Sequence, residues 1–393
     1  MFNSFRIVFF VCLMKQAFSQ KIDTNKTVLM DVVDIWHIVK NKNYKADTSK
    51  AAVGVPLLTI LPGFGYSQLT GFTILVDGNI SFYTHTKTNI SVIKITPEYT
   101  QNKQFTPILT SSIWSKNNRY NFVSDWRFYH YSLKDFGLGG FTSENIFNNY
   151  TYNSLRFHQL LSRSITSDLL LGIGYNFDKH FKVENIDSHL LTNADDYGVS
   201  RSTVSSGIVL NALYDSRRNE NSPIASGWYG NFSFVKNMKV LKSSTNYNTI
   251  YADFRHYISF PRNSKNILAF WNLNWLTFGG KSPYFDLPST LWDTYDNAGR
   301  TFIQGRFRGR NMLYFEMEYR FNILKNELLG GALFVNTQSF TEPVTYKFSK
   351  LLTGYGGSLR IKVNKKSNVY FVVSYGAGSG GTKGFFFNLG EVF

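Results

Sequence analysis

The chain has 393 residues, a formal net charge of +16 and 17% aromatic residues, carried mainly by 36 Phe and 24 Tyr. Hydrophobic residues reach 43% while mean hydropathy stays slightly negative, as expected when apolar positions alternate with polar ones and aromatic girdles mark two membrane interfaces. Cys12 is the single cysteine, so a mature chain lacking it has no disulfide, thiolate nucleophile or cysteine metal site.

The basic excess falls on no recognisable nucleic-acid module, which leaves no nucleic-acid partner to propose. Solvated loop charge and contact with anionic lipid head groups, lipopolysaccharide included, account for it.

Residues 1–19 read as a secretory signal, with Arg6 before an apolar core at Ile7–Met14 and Ala17-Phe18-Ser19 before Gln20. Residues 20–50 form a periplasmic segment. In it Val28, Leu29, Val32, Ile35, Trp36 and Val39 recur at helical spacing and predict a short amphipathic helix over Thr27–Val39.

From residue 51 to 393 strand-like segments follow one another, at 51–67, 70–86, 88–99, 104–116, 118–131, 150–164, 166–180, 202–216, 226–241, 244–260, 264–279, 310–322, 327–338, 353–364, 366–376 and 384–393. About 16 strands suit an all-β, transmembrane antiparallel barrel. Leu313, Phe315, Met317, Tyr319 and Phe321 alternate with Tyr314, Glu316, Glu318 and Arg320, placing grease outside and charge in a polar lumen. The same inversion is expected of Leu169, Leu171, Ile173, Tyr175 and Phe177 against Gly172, Gly174 and Asn176. It is also expected of Ile267, Ala269, Trp271, Leu273 and Trp275 against Asn266, Asn272 and Asn274. Asp125 with Arg127 and Asp253 with Arg255 share inward faces, placed to pair with neighbours across the lumen.

If the first strand runs outward, the long connections at 132–149, 181–201, 280–309 and 339–352 all fall on the outer side, with short turns opposite. The connection ending in Arg300, Arg306, Arg308 and Arg310 is too basic for lipid. It is expected to fold inward as a plug or latch.

Other motifs carry less. Gly376–Gly381 formally contains GxGxxG, but a strand and not a helix follows, so it reads as a flexible hairpin loop; Ser379 lacks the glycine of a nucleophile elbow. His37, His85, His130, His158, His180, His189 and His256 lack ligand spacing, and Asp187, Asp195 and Asp196 match no calcium loop. Glu316 and Glu318 could serve acid–base chemistry, but partnership with loop arginines needs no substrate. No metal, cofactor or catalytic residue is expected.

Four stretches resemble the bacterial surface antigen family, the barrel half of the outer-membrane protein assembly factor superfamily. They are Tyr214-Asp215-Ser216-Arg217 with Asn219, Pro223 and Gly227; Gly305-Arg306-Phe307-Arg308 through Asn311-Met312 to Glu318-Tyr319-Arg320-Phe321; Gly331 to Asn336; and Gly384 to Phe393. The resemblance implies that Phe387, Leu389, Gly390 and Phe393 belong to a C-terminal assembly signal. It also implies that the loop tip Arg300-Thr301-Phe302 enters the lumen, with Thr301 where the family has glycine. The family's Phe-x-Asp-x-Gly reads Phe334-Val335-Asn336-Thr337-Gln338 here, so its acid is the amide Asn336. Because Glu316 and Glu318 both face the lumen, Arg300 is expected to pair with one of them.

The expected function is a non-enzymatic barrel in the outer membrane of a Gram-negative bacterium. It would assist protein or lipid assembly, with periplasmic or lipoprotein partners in place of the polypeptide-transport-associated domains for which residues 20–50 leave no room. A passive pore or structural barrel with a plugged lumen is the alternative.

Overall fold

The computed structural model describes residues 56–67, 70–86, 88–186, 197–217, 226–364 and 368–393. The expected signal, the helix over Thr27–Val39, and Asp187, His189, Asp195, Asp196, Asn219 and Pro223 lie outside them. Seventeen strand segments follow in order: β1 (Leu57–Ser67), β2 (Gly71–Phe82), β3 (Ser91–Thr96), β4 (Glu98–Thr100), β5 (Ile108–Trp114), β6 (Tyr120–Asp135), β7 (Asn148–Ser164), β8 (Leu169–Asn185), β9 (Ser202–Asp215), β10 (Gly227–Asn237), β11 (Tyr247–Ser259), β12 (Ile267–Phe278), β13 (Asn311–Asn322), β14 (Leu329–Phe340), β15 (Leu352–Asn364), β16 (Val369–Gly378) and β17 (Lys383–Leu389).

All pair antiparallel in a single sheet, each stave beside its neighbour in sequence. β3 and β4 both pair with β2 and are two pieces of one stave, separated at Pro97, which has no N–H to donate to a ladder. Sixteen staves result, matching the expected number. β1 and β17 come within contact distance of one another, yet no ladder joins them among the described residues.

Alternation sets the faces. On β13 Met312, Tyr314, Glu316, Glu318 and Arg320 are buried inside while Leu313, Phe315 and Met317 are exposed on the outer wall. β12 overturns its expected orientation. Ile267, Ala269, Trp271 and Leu273 point inward and are buried, because Trp271 pairs with Glu316 and Leu273 with Tyr314, and cross-strand partners share a face. Asn272 and Asn274 are the outward residues. Asn272 Nδ2 donates to the Tyr314 carbonyl at 3.0 Å, and Asn274 Nδ2 donates to Asn272 Oδ1 at 2.7 Å. The strand is reversed because the lumen beside it is filled with carbon and not with water.

A second departure is height. β6, β7 and β8 run 16, 17 and 17 residues, against 12 for β12, β13 and β14. The extra residues add roughly 15 Å of wall at the end that carries the long connections. Leu133, Tyr150 and Val183 on that added wall are buried, covered by the connection between β12 and β13. Strand expectations stopped short there because polar residues break the period.

Candidate functional site

The connection from residue 279 to 310 lies inside the sheet, and its four arginines have four separate destinations. Arg306 donates to Thr142 Oγ1 at 2.7 Å and to the Thr142 carbonyl at 2.8 Å, in the β6–β7 connection. Arg310 donates to the carbonyls of Thr277 and Gly280 at 3.0 and 2.8 Å. Arg308, fully buried, stands 3.6 Å from the buried Asp135 carboxylate, which also accepts from Tyr284 at 2.8 Å.

Arg300 reaches furthest. Its Nη2 donates to both Glu316 and Glu318, and its guanidinium lies 3.7 Å from the Phe334 ring centre, a cation over a negative ring face. Glu318 also accepts from Arg320 Nε at 2.5 Å. Arg320 lies 3.8 Å from Glu391, and Glu391 accepts from Arg360 Nε at 3.1 Å. Arg300, Arg320 and Arg360 thus meet Glu316, Glu318 and Glu391 in one buried cluster. An aspartate at 336 would add a further acid beside it. The amide there serves the backbone instead, as Asn336 Nδ2 donates to the Arg300 carbonyl at 2.8 Å.

The tip rests in a cradle made by absence. Thr301 holds φ at +117°, a value β-branched residues rarely adopt. A Cβ on Gly354 would sit 2.1 Å from Thr301 Oγ1, and one on Gly376 would sit 2.5 Å from Thr301 Cγ2. Phe302, beside them, packs edge-on against Phe307 with centroids 5.5 Å apart. Gly376 and Gly378 therefore belong to β16 and to the docking wall. Only Ser379–Gly381 forms the turn expected over the whole motif.

The C-terminal residues divide. Phe387 and Leu389 face outward and are exposed, but the ladder with β16 ends at Leu389 and the chain turns inward at Gly390, where φ is +104°. The expected strand to residue 393 is thereby corrected. Phe393 is buried and stacks on Trp271 at 5.2 Å. Its main-chain oxygen accepts from Arg320 Nη2 at 2.8 Å, and the Val392 carbonyl accepts from loop residue Asn297 at 2.7 Å. The tail therefore ties the loop to the wall.

A second anchorage sits on the tall strands. Tyr284, Phe285 and Leu287 pack on Tyr131, Leu133, Tyr150, Tyr152 and Val183. Asp286 accepts from Ser205 Oγ at 2.5 Å and lies 3.5 Å from His180 Nδ1. The serine donates to the acid and not to the imidazole, so these three do not form an activated nucleophile. Burial, reinforced by the Asp178 charge and opposed by the Ser205 hydrogen bond, pushes the Asp286 carboxyl up to about 7.

Acid–arginine pairs two residues apart recur on the inner faces. Arg127 meets Asp125 at 2.6 Å, Arg217 meets Asp215 at 2.7 Å and Arg255 meets Asp253 at 2.7 Å. Pairing for Asp125 and Asp253 thus runs along their own strands, where an arrangement across the lumen was expected. The signals missed in sequence were the pairing of these residues with each other, the inward Gly354 and Gly376, and the inward Arg360. Each follows once a strand's faces are assigned.

Similarity to solved structures places the architecture. BamA from Haemophilus ducreyi, in a form lacking POTRA domains 1–3, matches with TM-score 0.55 at 14% identity, covering 85% of this chain and 70% of that one. CdiB from Acinetobacter baumannii matches with TM-score 0.51 at 13% identity, and CdiB from Escherichia coli with 0.52 at 11%. Each match covers 85% of this chain, but only 59% and 61% of the two CdiB chains. No family model matches the sequence, and no curated protein matches it. An almost all-β antiparallel sheet of sixteen staves, holding a long loop inside it, therefore gives this chain the barrel fold of BamA and CdiB.

Proposed function

We propose that the protein is an outer-membrane barrel of the surface antigen type that assists assembly of other membrane proteins or lipids. It works without catalysis, surrounded by lipopolysaccharide and recruited through periplasmic or lipoprotein partners. The observation that carries this reading is the junction of β1 and β17. A junction at which no ladder joins the described residues is a place where a client strand or lipid could be received. Support comes also from the tail of β17, which is fastened inside the lumen and not to β1.

The test is a disulfide between cysteines placed in β1 and β17, against a background in which Cys12 is the single native cysteine. Locking the junction should lower the assembly of client proteins in cells, and reduction should restore it. Unchanged assembly in the locked form defeats the reading. A plugged passive pore is the second reading, favoured by the open chamber beside the loop; it predicts low conductance in planar bilayers, raised when the loop is released.

A further inference from the structure

Between the docked loop and the wall formed by β6–β11 a chamber of about 550 Å³ stays open. Small-ligand sites commonly enclose roughly 300–1,000 Å³. The chemistry of its lining selects among possible occupants.

The charges of the wall are already spent on each other. Arg127 holds Asp125, while Arg156 lies 2.9 Å from Asp178 and 3.9 Å from Asp125. His158 lies 2.6 Å from the second oxygen of Asp178. An ionic guest would have to displace a partner at hydrogen-bond distance, and removing one member of such a pair from the other is costly.

What remains of the lining outside an ion pair among the described residues is acidic or neutral, with the carboxyls of Glu98 and Asp296 lining the chamber beside hydroxyl and amide groups. Across from the wall the loop brings Thr294, Tyr295 and Asp296 to the lining of the space, and Tyr295 is 67% exposed. Asn231 and Ser233 supply further amide and hydroxyl groups to the lining. An open aromatic face beside hydroxyl, amide and carboxyl groups suits a guest with one C–H face and a rim of hydroxyls.

We propose that this chamber is a binding site for a neutral polyhydroxylated solute of the saccharide class. The guest's flat face lies on Tyr295 and a guest hydroxyl meets the Asp296 carboxyl. The same chemistry is offered by a free oligosaccharide and by the glycan of a lipopolysaccharide.

The experiment uses the full-length protein folded in a zwitterionic detergent without a sugar head group. Maltotriose, chitotriose, a charged trigalacturonate, and lipopolysaccharide with and without its outer glycan are titrated by calorimetry. A neutral trisaccharide is expected to bind saturably with Kd of about 1 mM or tighter. Tyr295→Ala should weaken this about threefold to tenfold. Asp296→Asn, which keeps the shape and removes the charged acceptor, should weaken it by a similar factor.

Binding only to glycan-bearing lipopolysaccharide, with the same sensitivity to both substitutions, supports the site and identifies the lipid-borne source. Three results overturn the proposal: no saturable binding by any probe, binding indifferent to both substitutions, or tighter binding of trigalacturonate than of the neutral trisaccharides. Thermal unfolding of both variants at the wild-type midpoint keeps a folding defect from imitating the expected result.

Discussion

The two anchorages of the lumenal loop are built on different physics. The inner one, around Arg300, is a cluster of three guanidinium and three carboxylate groups, backed by Trp271, Phe302, Phe307 and Phe393. The outer one, around Tyr284–Leu287, is mainly aromatic packing on the tall wall, with one buried pair, Arg308 beside Asp135, and a second acid, Asp286, at its edge. Buried charge makes the first a demanding lock, since removing Arg300 strands two acids in a dry interior. The second is a graded contact that protons can tune. A loop fixed at both ends by unlike means can release one end while keeping the other.

Breaking the inner anchorage should have the largest effect. Arg300→Ala leaves Glu316 and Glu318 without their shared cation and should cost about 3–5 kcal/mol of stability, with raised conductance as the loop tip leaves the wall. Glu316→Ala and Glu318→Ala should each destabilise as well, by less, since Arg300 keeps the other acid. Chemical unfolding of the three variants checks this; a loss confined to Arg300→Ala would show that the guanidinium acts through something other than these acids.

The glycine cradle gives the next largest effect. Gly354→Ala drives a Cβ to 2.1 Å from Thr301 Oγ1, an overpacking expected to cost about 1–3 kcal/mol. Combining it with Thr301→Gly should recover most of the loss, because the second change removes the clashing side chain and the positive-φ strain together. Failure of the double variant to recover would place the damage in the strand and not in docking.

The outer anchorage should respond to pH. The Asp286 carboxyl is raised in the docked state, so the docked loop holds a proton that the released loop gives up. Its contribution is complete below the ordinary carboxylate range, falls as pH rises and is lost once the raised value is passed. The thermal midpoint should therefore fall as pH rises across that window. Asp286→Asn should flatten the response, with the unmodified protein as its reference.

The smallest effect belongs to Thr301→Gly alone. Relief of strain and loss of contacts oppose one another, and the net change should stay within about 1 kcal/mol. A larger stabilisation would mean that the side chain contributes nothing to docking.

Much of this was readable in advance, for one physical reason. A wall one residue thick, with lipid on one side and a lumen on the other, writes both environments into every strand, so the alternation in Leu313–Phe321 gave β13 its faces and placed Glu316 and Glu318 opposite the basic loop. The same logic failed at β12, where both environments are apolar. Nothing in Ile267–Phe278 says that Trp271 meets Phe393 or that the loop fills the space beside it. The height of β6–β8 was hidden similarly, because above the membrane the outer face carries polar residues such as His130, Asn153 and Lys179 and the period fades. The inward turn at Gly390 depends on Asn297, Arg320 and Arg360, which are remote in sequence.

The acid–arginine pairs at Asp125/Arg127, Asp215/Arg217, Asp253/Arg255 and Glu318/Arg320 need only an extended backbone, and no adjoining strand, to form. At these four places each acid therefore carries its own counter-ion whatever the neighbouring strand does, and the wall presents the lumen with dipoles and not with bare ions.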